Sequence, residues 1–313
     1  MGVAATVALT GPGSAWASES LPDFDVRNPT LKVNARGQAL VEYTTERGLR
    51  RHVLLWGAVN ARVPPSGAVR QVRFRRDFSG GFRIARRALW RRFRDACGRY
   101  DGPWLAYRVA ACKAPDGSYW ALQRWQRRLP LLGFEPWLPI HRSYELHVSH
   151  WRGELPVLEA SVNWTYRFQW QGVFGRLSYR GHPAHGFSSS SSGNPRDRYG
   201  RNVYIDTLNS AYGPGWRRES GILTHRPTGT FCHSFVAGQR AQAGYPSQAP
   251  RPSGRGERYR ISAMGPGVTP VLVWEAPALP RYNGSDQHQL IEQRANEGFD
   301  RVMAGDRLCG GER

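Results

Sequence analysis

The sequence predicts an all-β fold, made mainly of antiparallel sandwich-like sheets, with two peripheral helices. Many short segments alternate polar and apolar residues, which is the period-two pattern of half-buried strands. Clusters of glycine and proline separate these segments, as in antiparallel sandwiches. Hydrophobic residues make up 40% of the 313 residues, which is enough to build a core.

Residues 1–17 have the pattern of a leader for export. Residues 1–9 are apolar or small, Gly11–Gly13 interrupts any helix, and Ala15-Trp16-Ala17 is an A-x-A processing site. We therefore expect a signal peptide over 1–17, followed by one β-rich exported domain over 18–313. No lysine or arginine precedes the apolar run, so a leader truncated at its start and a disordered tail stay open as alternatives.

Turn residues define the hairpins predicted in the first half of the chain. Lys113–Ser118 contains Pro115, which presets the first turn angle, and Gly117, which accepts a positive φ. Arg47-Gly48 separates a second pair of alternating segments. The strands predicted here are 38–44, 51–60, 71–78, 104–112 and 119–126.

The second half contains a similar succession of predicted strands. We expect 144–151 and 157–164 to pair as a hairpin around Gly153–Pro156. Residues 129–141 include three prolines and are the candidate boundary if the domain has two lobes. The other predicted strands are 173–180, 201–208, 228–236, 258–263 and 269–275.

Two segments have helical periodicity. Ile84–Cys97 places apolar residues on one face and arginines, including Arg87 and Arg91, on the other. The second runs over 286–303, after Ser285 as a potential N-cap. The basic face of the first is a candidate contact for an anionic surface. Packing on a sheet, with the charges in water, explains the same pattern.

The chain is strongly basic, with a formal net charge of +20. Only Lys32 and Lys113 are lysines among its 44 basic residues, a bias typical of GC-rich genomes. A protein this basic attracts polyanions, and salt weakens that attraction. The sequence has no recognition helix or zinc module, so we expect no nucleic acid partner. No run after the leader is long and apolar enough for a membrane span.

Cys97, Cys112, Cys232 and Cys309 are the four cysteines. They form no C-x-x-C pair, and an even count in an exported chain predicts disulfides. We expect the pairs Cys97–Cys112 and Cys232–Cys309, with reduced buried thiols as the alternative.

Twelve tryptophans suggest binding of sugars, because exposed indoles stack on sugar rings. Most are nevertheless expected to fill the core. The densest polar and aromatic segment holds the candidate binding residues Asn202, Tyr204, Asp206 and Trp216. An edge strand with ordinary turns is the alternative interpretation of that segment.

Signatures of catalysis are sparse. Glu145 and Glu159 lie on strands predicted to pair and are the candidate carboxylates of a glycosidase, although strand carboxylates are usually solvated or paired with arginine. The sequence has no G-x-S-x-G or H-E-x-x-H motif, so we expect neither a metal nor a cofactor.

Two stretches, Tyr100–Trp120 and Tyr199–Trp216, resemble segments of uncharacterised exported proteins from high-GC bacteria. The resemblance implies export and a single body, and it carries no activity or site residues. Together these features favour a binding protein of the cell envelope or extracellular space, with a glycan or anionic envelope polymer as its partner. A secreted polysaccharide hydrolase and a structural protein without a small-molecule site are the alternatives.

Overall fold

The computed structural model is almost entirely β in the residues it describes, and its strands form four antiparallel sheets. The residues described are 18–59, 74–80, 88–126, 143–165, 170–183, 203–210, 213–218, 224–225, 229–235, 255–265 and 268–280. In chain order the strands are β1 (Glu19–Phe24), β2 (Arg27–Val33), β3 (Ala39–Thr44), β4 (Arg50–Trp56), β5 (Arg75–Asp77), β6 (Gly98–Arg99), β7 (Arg108–Lys113), β8 (Tyr119–Gln126), β9 (Tyr144–Trp151), β10 (Val157–Thr165), β11 (Trp170–Tyr179), β12 (His182–Pro183), β13 (Val203–Ser210), β14 (Gly213–Arg218), β15 (Thr224–His225), β16 (Thr230–Phe235), β17 (Arg258–Ala263) and β18 (Leu272–Pro277).

The first half of the chain forms one sandwich. Its sheets have the strand orders β1-β9-β8-β7-β6 and β2-β3-β4-β5. Alternate residues of the strands point inward and meet in a shared apolar core. This core includes Val33, Val41, Leu55, Trp120, Leu122 and Val148.

The second half forms another sandwich. One sheet has the order β10-β11-β16-β15, and the other has the order β14-β13-β17-β18. Its core includes Val173, Leu177, Ile205, Phe231, Tyr259 and Ile261. The sandwich-like fold class predicted from the sequence is therefore confirmed.

The two sandwiches contact each other through one face of the sheet that contains β8 and β9. Gln123 of β8 is fully buried there, and its amide accepts from the backbone nitrogen of Val271 at 3.1 Å. The same amide donates to the carbonyl oxygens of Val271 at 3.2 Å and Ala106 at 2.9 Å. Trp125 and Tyr204 add an apolar contact between the sandwiches. Buried polar groups thus fix the position of the link between β17 and β18 on the first sandwich.

The chain passes from one sandwich to the next between Trp151 and Val157. The candidate lobe boundary at 129–141 precedes β9 and lies outside the described residues.

Several hairpin predictions are confirmed. β3 pairs with β4, and β7 pairs with β8, around the turns expected from their glycines. The hairpin predicted from 144–151 and 157–164 is wrong. β9 pairs with β1 and β8, whereas β10 pairs with β11 in the other sandwich. Strands β1, β2, β6, β12, β14 and β15 were not predicted.

The helix predicted at Ile84–Cys97 is wrong over the part that the structure describes. Leu89–Arg92 is a single 3-10 turn, and the backbone is extended from Phe93. The backbone nitrogen of Ala96 donates to the carbonyl oxygen of Val33 at 2.7 Å. Hydrogen bonds to β2 therefore override the helical periodicity of this segment. The helix predicted at 286–303 lies outside the described residues, and no described helix has the length and apolar character needed to cross a bilayer.

A disulfide joins Cys97 to Cys112, as predicted, with 5.6 Å between their Cα atoms. Cys232 is buried in β16. Its predicted partner, Cys309, lies outside the described residues, so that pairing stays a prediction.

Candidate functional site

The face of the sheet β14-β13-β17-β18 that points away from the core of its own sandwich brings charged and aromatic residues together. Asp206 of β13 lies opposite Arg260 of β17, which lies opposite Glu275 of β18. Side chains directly opposite each other in antiparallel strands share a face, so these three form a row of alternating charge. Trp216 and Tyr107 complete the group. We call these five residues the aromatic–arginine face.

A buried ion pair forms its base. Oδ2 of Asp206 accepts from Nη2 of Arg260 at 3.0 Å and from Nε at 3.2 Å. The side chain of Asp206 is 0% exposed, and that of Arg260 is 9% exposed. Burial acts to lower the pKa of Arg260, but the carboxylate of Asp206 and the oxygen of Tyr107 together raise that pKa above its ordinary value. Arg260 is therefore held as a fixed cation just beneath the surface.

Trp216 lies against this cation. The guanidinium carbon of Arg260 is 4.3 Å from the centre of the indole ring, which is cation–π geometry. The indole is half-buried, so part of its surface faces solvent. The Asp206–Arg260 ion pair thus positions the indole ring of Trp216, which was predicted from the sequence to be a binding residue.

Tyr107 comes from the first sandwich. Its hydroxyl accepts from Nη1 of Arg260 at 3.2 Å and donates to Oε1 of Glu275 at 3.3 Å. Its backbone has φ of 53°, a left-handed conformation that is unusual for a bulky residue. Backbone strain of this kind is concentrated at functional sites. Burial is the main cause that raises the pKa of the Tyr107 phenol, although the residue as a whole is 43% exposed.

Arg258 borders the face. Its Nη2 lies 3.4 Å from Oε2 of Glu275, and the two side chains are 47% and 30% exposed. Because surface ion pairs of this kind are weak, both groups can exchange this contact for a ligand. They supply donors and an acceptor beside the exposed rings of Trp216 and Tyr107.

The structure separates the binding residues predicted from the sequence. Asp206 and Trp216 belong to the aromatic–arginine face. Tyr204 is 2% exposed and packs with Trp125 between the sandwiches, so its ring is not available to a ligand. Asn202 lies outside the described residues. The sequence did not identify Tyr107, Arg260 or Glu275 as site residues. Nothing in the sequence shows that β17 lies beside β13, or that Tyr107 reaches Arg260 from the other sandwich.

The predicted carboxylate pair does not share a hairpin. Glu145, in β9, is 6% exposed, and its Oε1 lies 2.7 Å from Nε2 of His147. The other nitrogen of that imidazole lies 2.7 Å from Oγ of Ser18. Glu159 is exposed on β10 of the second sandwich, opposite Arg176. The prediction that Glu145 and Glu159 lie on paired strands, as the two carboxylates of a glycosidase, is therefore wrong.

The predicted basic helical face is likewise not formed as expected. Arg91 belongs to the 3-10 turn and is exposed, with its guanidinium carbon 4.9 Å from the ring centre of Trp90. Arg87 lies outside the described residues. Within the ranges that the structure describes, no group of three histidine, cysteine or carboxylate side chains is placed to hold a metal ion.

Comparison with protein-family models, with curated proteins and with solved structures finds no match to this chain.

Proposed function

We propose that the chain is an exported binding protein for acidic glycans, and that the aromatic–arginine face is its binding site. The observation that carries this proposal is the buried Asp206–Arg260 pair, which holds Trp216 and Tyr107 at the surface as partly exposed rings. Sugar rings present C–H groups that stack on aromatic faces, and their hydroxyls need directional hydrogen bonds. The face supplies both kinds of contact.

Charge favours an acidic glycan over a neutral one. Arg258 is half exposed beside the rings, and its planar guanidinium suits a bidentate contact with a carboxylate. The net charge of +20 attracts a polyanion from a distance. A polymer that carries uronate groups combines the sugar ring and the charge that this face recognises.

Export is the second part of the proposal. The leader pattern over 1–17 and the Cys97–Cys112 disulfide support it, because disulfides persist in oxidising compartments. The ligand is accordingly a polysaccharide of the envelope or its surroundings.

Calorimetric titration with trigalacturonate tests the site. We expect Trp216→Ala to weaken binding at least about tenfold, since a central aromatic contact is lost. Tyr144→Ala is the matched control, because Tyr144 is an exposed aromatic (41%) at the start of β9 whose ring contacts Arg124, and its loss is expected to leave the affinity unchanged.

Salt and esterification separate the contributions of charge and stacking. Wild-type affinity for trigalacturonate falls as salt rises, whereas the methyl ester of the same sugar binds more weakly and with little salt dependence. Equal affinities of Trp216→Ala and wild type, or no binding by wild type at low salt, contradict the proposal.

A further inference from the structure

Trp104 is the most exposed large apolar side chain among the described residues, with 79% of its surface accessible. By contrast, Trp120 and Trp151 are packed inside the first sandwich with 0% exposure. Trp104 lies just before β7, in the loop that leads to Tyr107. A single exposed apolar residue is ordinary by itself, but Trp104 is distinguished by the contacts that hold its loop and by its position beside Tyr107.

The start of this loop is anchored by covalent and polar contacts. The Cys97–Cys112 disulfide ties the segment before the loop to β7. The carboxylate of Asp101 accepts from Nζ of Lys113 at 2.8 Å and from the hydroxyl of Tyr119 at 2.9 Å. These contacts hold the loop against the hairpin that follows it.

The end of the loop is anchored in the protein interior. Leu105 and Ala106 are 5% and 6% exposed. The carbonyl oxygen of Ala106 accepts from the buried amide of Gln123, and that of Tyr107 accepts from the backbone nitrogen of Arg124, both at 2.9 Å. The residues on both sides of the exposed indole are thus held by the fold, while the indole itself faces water. A preorganised group of this kind loses little conformational entropy when it binds a ligand.

We infer that Trp104 is a second stacking subsite for the same glycan chain, so that the site takes an extended oligosaccharide and not a single sugar. This inference rests on the proposed function of the aromatic–arginine face. Trp104 is three residues from Tyr107, so their Cα atoms are at most about 11 Å apart. A short oligosaccharide bound at Tyr107 and Trp216 spans that distance. Arg108, exposed beside this loop, adds a cation for a uronate on the extended ligand.

A length series of oligogalacturonates, from the disaccharide to the hexasaccharide, tests the inference by calorimetry. We expect wild-type affinity to rise about tenfold along the series as the chain reaches the second ring. In Trp104→Ala this rise disappears, while affinity for the disaccharide is unchanged. Leu49→Ala, which truncates another exposed apolar side chain (57%), is the matched control and retains the full rise.

The outcomes separate this inference from the proposal on which it depends. If wild type and Trp104→Ala show the same rise, the subsite is disproved and the proposed function stands. A loss in Trp104→Ala of equal size for every length also overturns the inference, since the indole then belongs to the first subsite. If wild type binds no member of the series, the proposed function fails, and the subsite fails with it.

Discussion

At the scale of the residue, Arg260 connects the parts of the proposed site. This side chain bonds Asp206, stacks on Trp216 and contacts the hydroxyl of Tyr107. It therefore joins strands of the second sandwich to a residue of the first. Removing either partner of a buried ion pair leaves an uncompensated charge, which is more costly than removing the pair as a whole.

Asp206→Asn is predicted to destabilise the fold by about 3–5 kcal/mol, because the Arg260 cation remains buried without its carboxylate. Urea unfolding measures the change. Asp101→Asn is the control, since it breaks a surface ion pair with Lys113 and is expected to have a much smaller effect. Equal losses in the two variants would show that the Asp206–Arg260 pair has no special structural role.

His150 predicts a pH dependence of stability. Burial is the main cause that lowers its pKa from 6.5 to about 4, although the carbonyl of Ala58 and the charge of Asp116 act to raise it. Arg152 also acts to lower the pKa. At a pH between about 4 and 6.5, His150 binds a proton in the unfolded chain but not in the folded protein. The contribution of His150 to stability is therefore present above about pH 6.5 and is lost as the pH falls towards 4.

We expect the wild type to lose about 2 kcal/mol through His150 between about pH 7 and pH 5. Denaturant unfolding of wild type and His150→Gln at both pH values measures this contribution. The glutamine does not titrate, and its amide can replace the donor to Ala58. If the two proteins have the same pH dependence, the buried imidazole is not its source.

At the scale of the element, the disulfide and the extended segment before β6 explain why the helix prediction failed. Oδ1 of Asp95 accepts from the backbone nitrogens of Val33 at 3.0 Å and Cys97 at 3.1 Å. The contact with Val33 is distant in sequence, so a periodic pattern over 84–97 gives no sign of it. The strands beside glycine and proline turns were predictable, since the turn chemistry is local.

The failed β9–β10 hairpin has a similar cause. Alternation shows that a strand has two faces, but it does not show which strand lies beside it. Gly153–Pro156 has the composition of a hairpin turn, yet it joins two sandwiches. For the same reason the sequence identified Asp206 and Trp216 but not Arg260, which reaches them only because β17 pairs with β13.

Removing the Cys97–Cys112 disulfide is predicted to destabilise the protein by about 3 kcal/mol, because the cross-link closes a short loop in the unfolded chain. Urea unfolding of the double variant Cys97→Ser/Cys112→Ser measures the loss. The same variant is expected to bind the longer oligogalacturonates more weakly, since the Trp104 loop is less constrained. Unchanged stability would contradict the structural role of this bond.

At the scale of the whole molecule, two sandwiches share one candidate site. Most of the aromatic–arginine face lies on the second sandwich, while Tyr107 and the Trp104 loop belong to the first. The buried hydrogen bonds between Gln123 and Val271 fix the position of one sandwich relative to the other. In the proposed function, the net charge of +20 attracts an acidic ligand to this site, and the aromatic rings contact it at short range.

The most direct test of this account is an NMR titration that follows the indole N–H signals as trigalacturonate and longer oligomers are added. The signals are assigned with single Trp→Phe variants. The account predicts that Trp216 shifts with trigalacturonate and that Trp104 shifts with the longer oligomers, while the buried Trp120 and Trp151 do not move. Saturating ligand that leaves the Trp216 signal in place would contradict the assignment of this face as the glycan site.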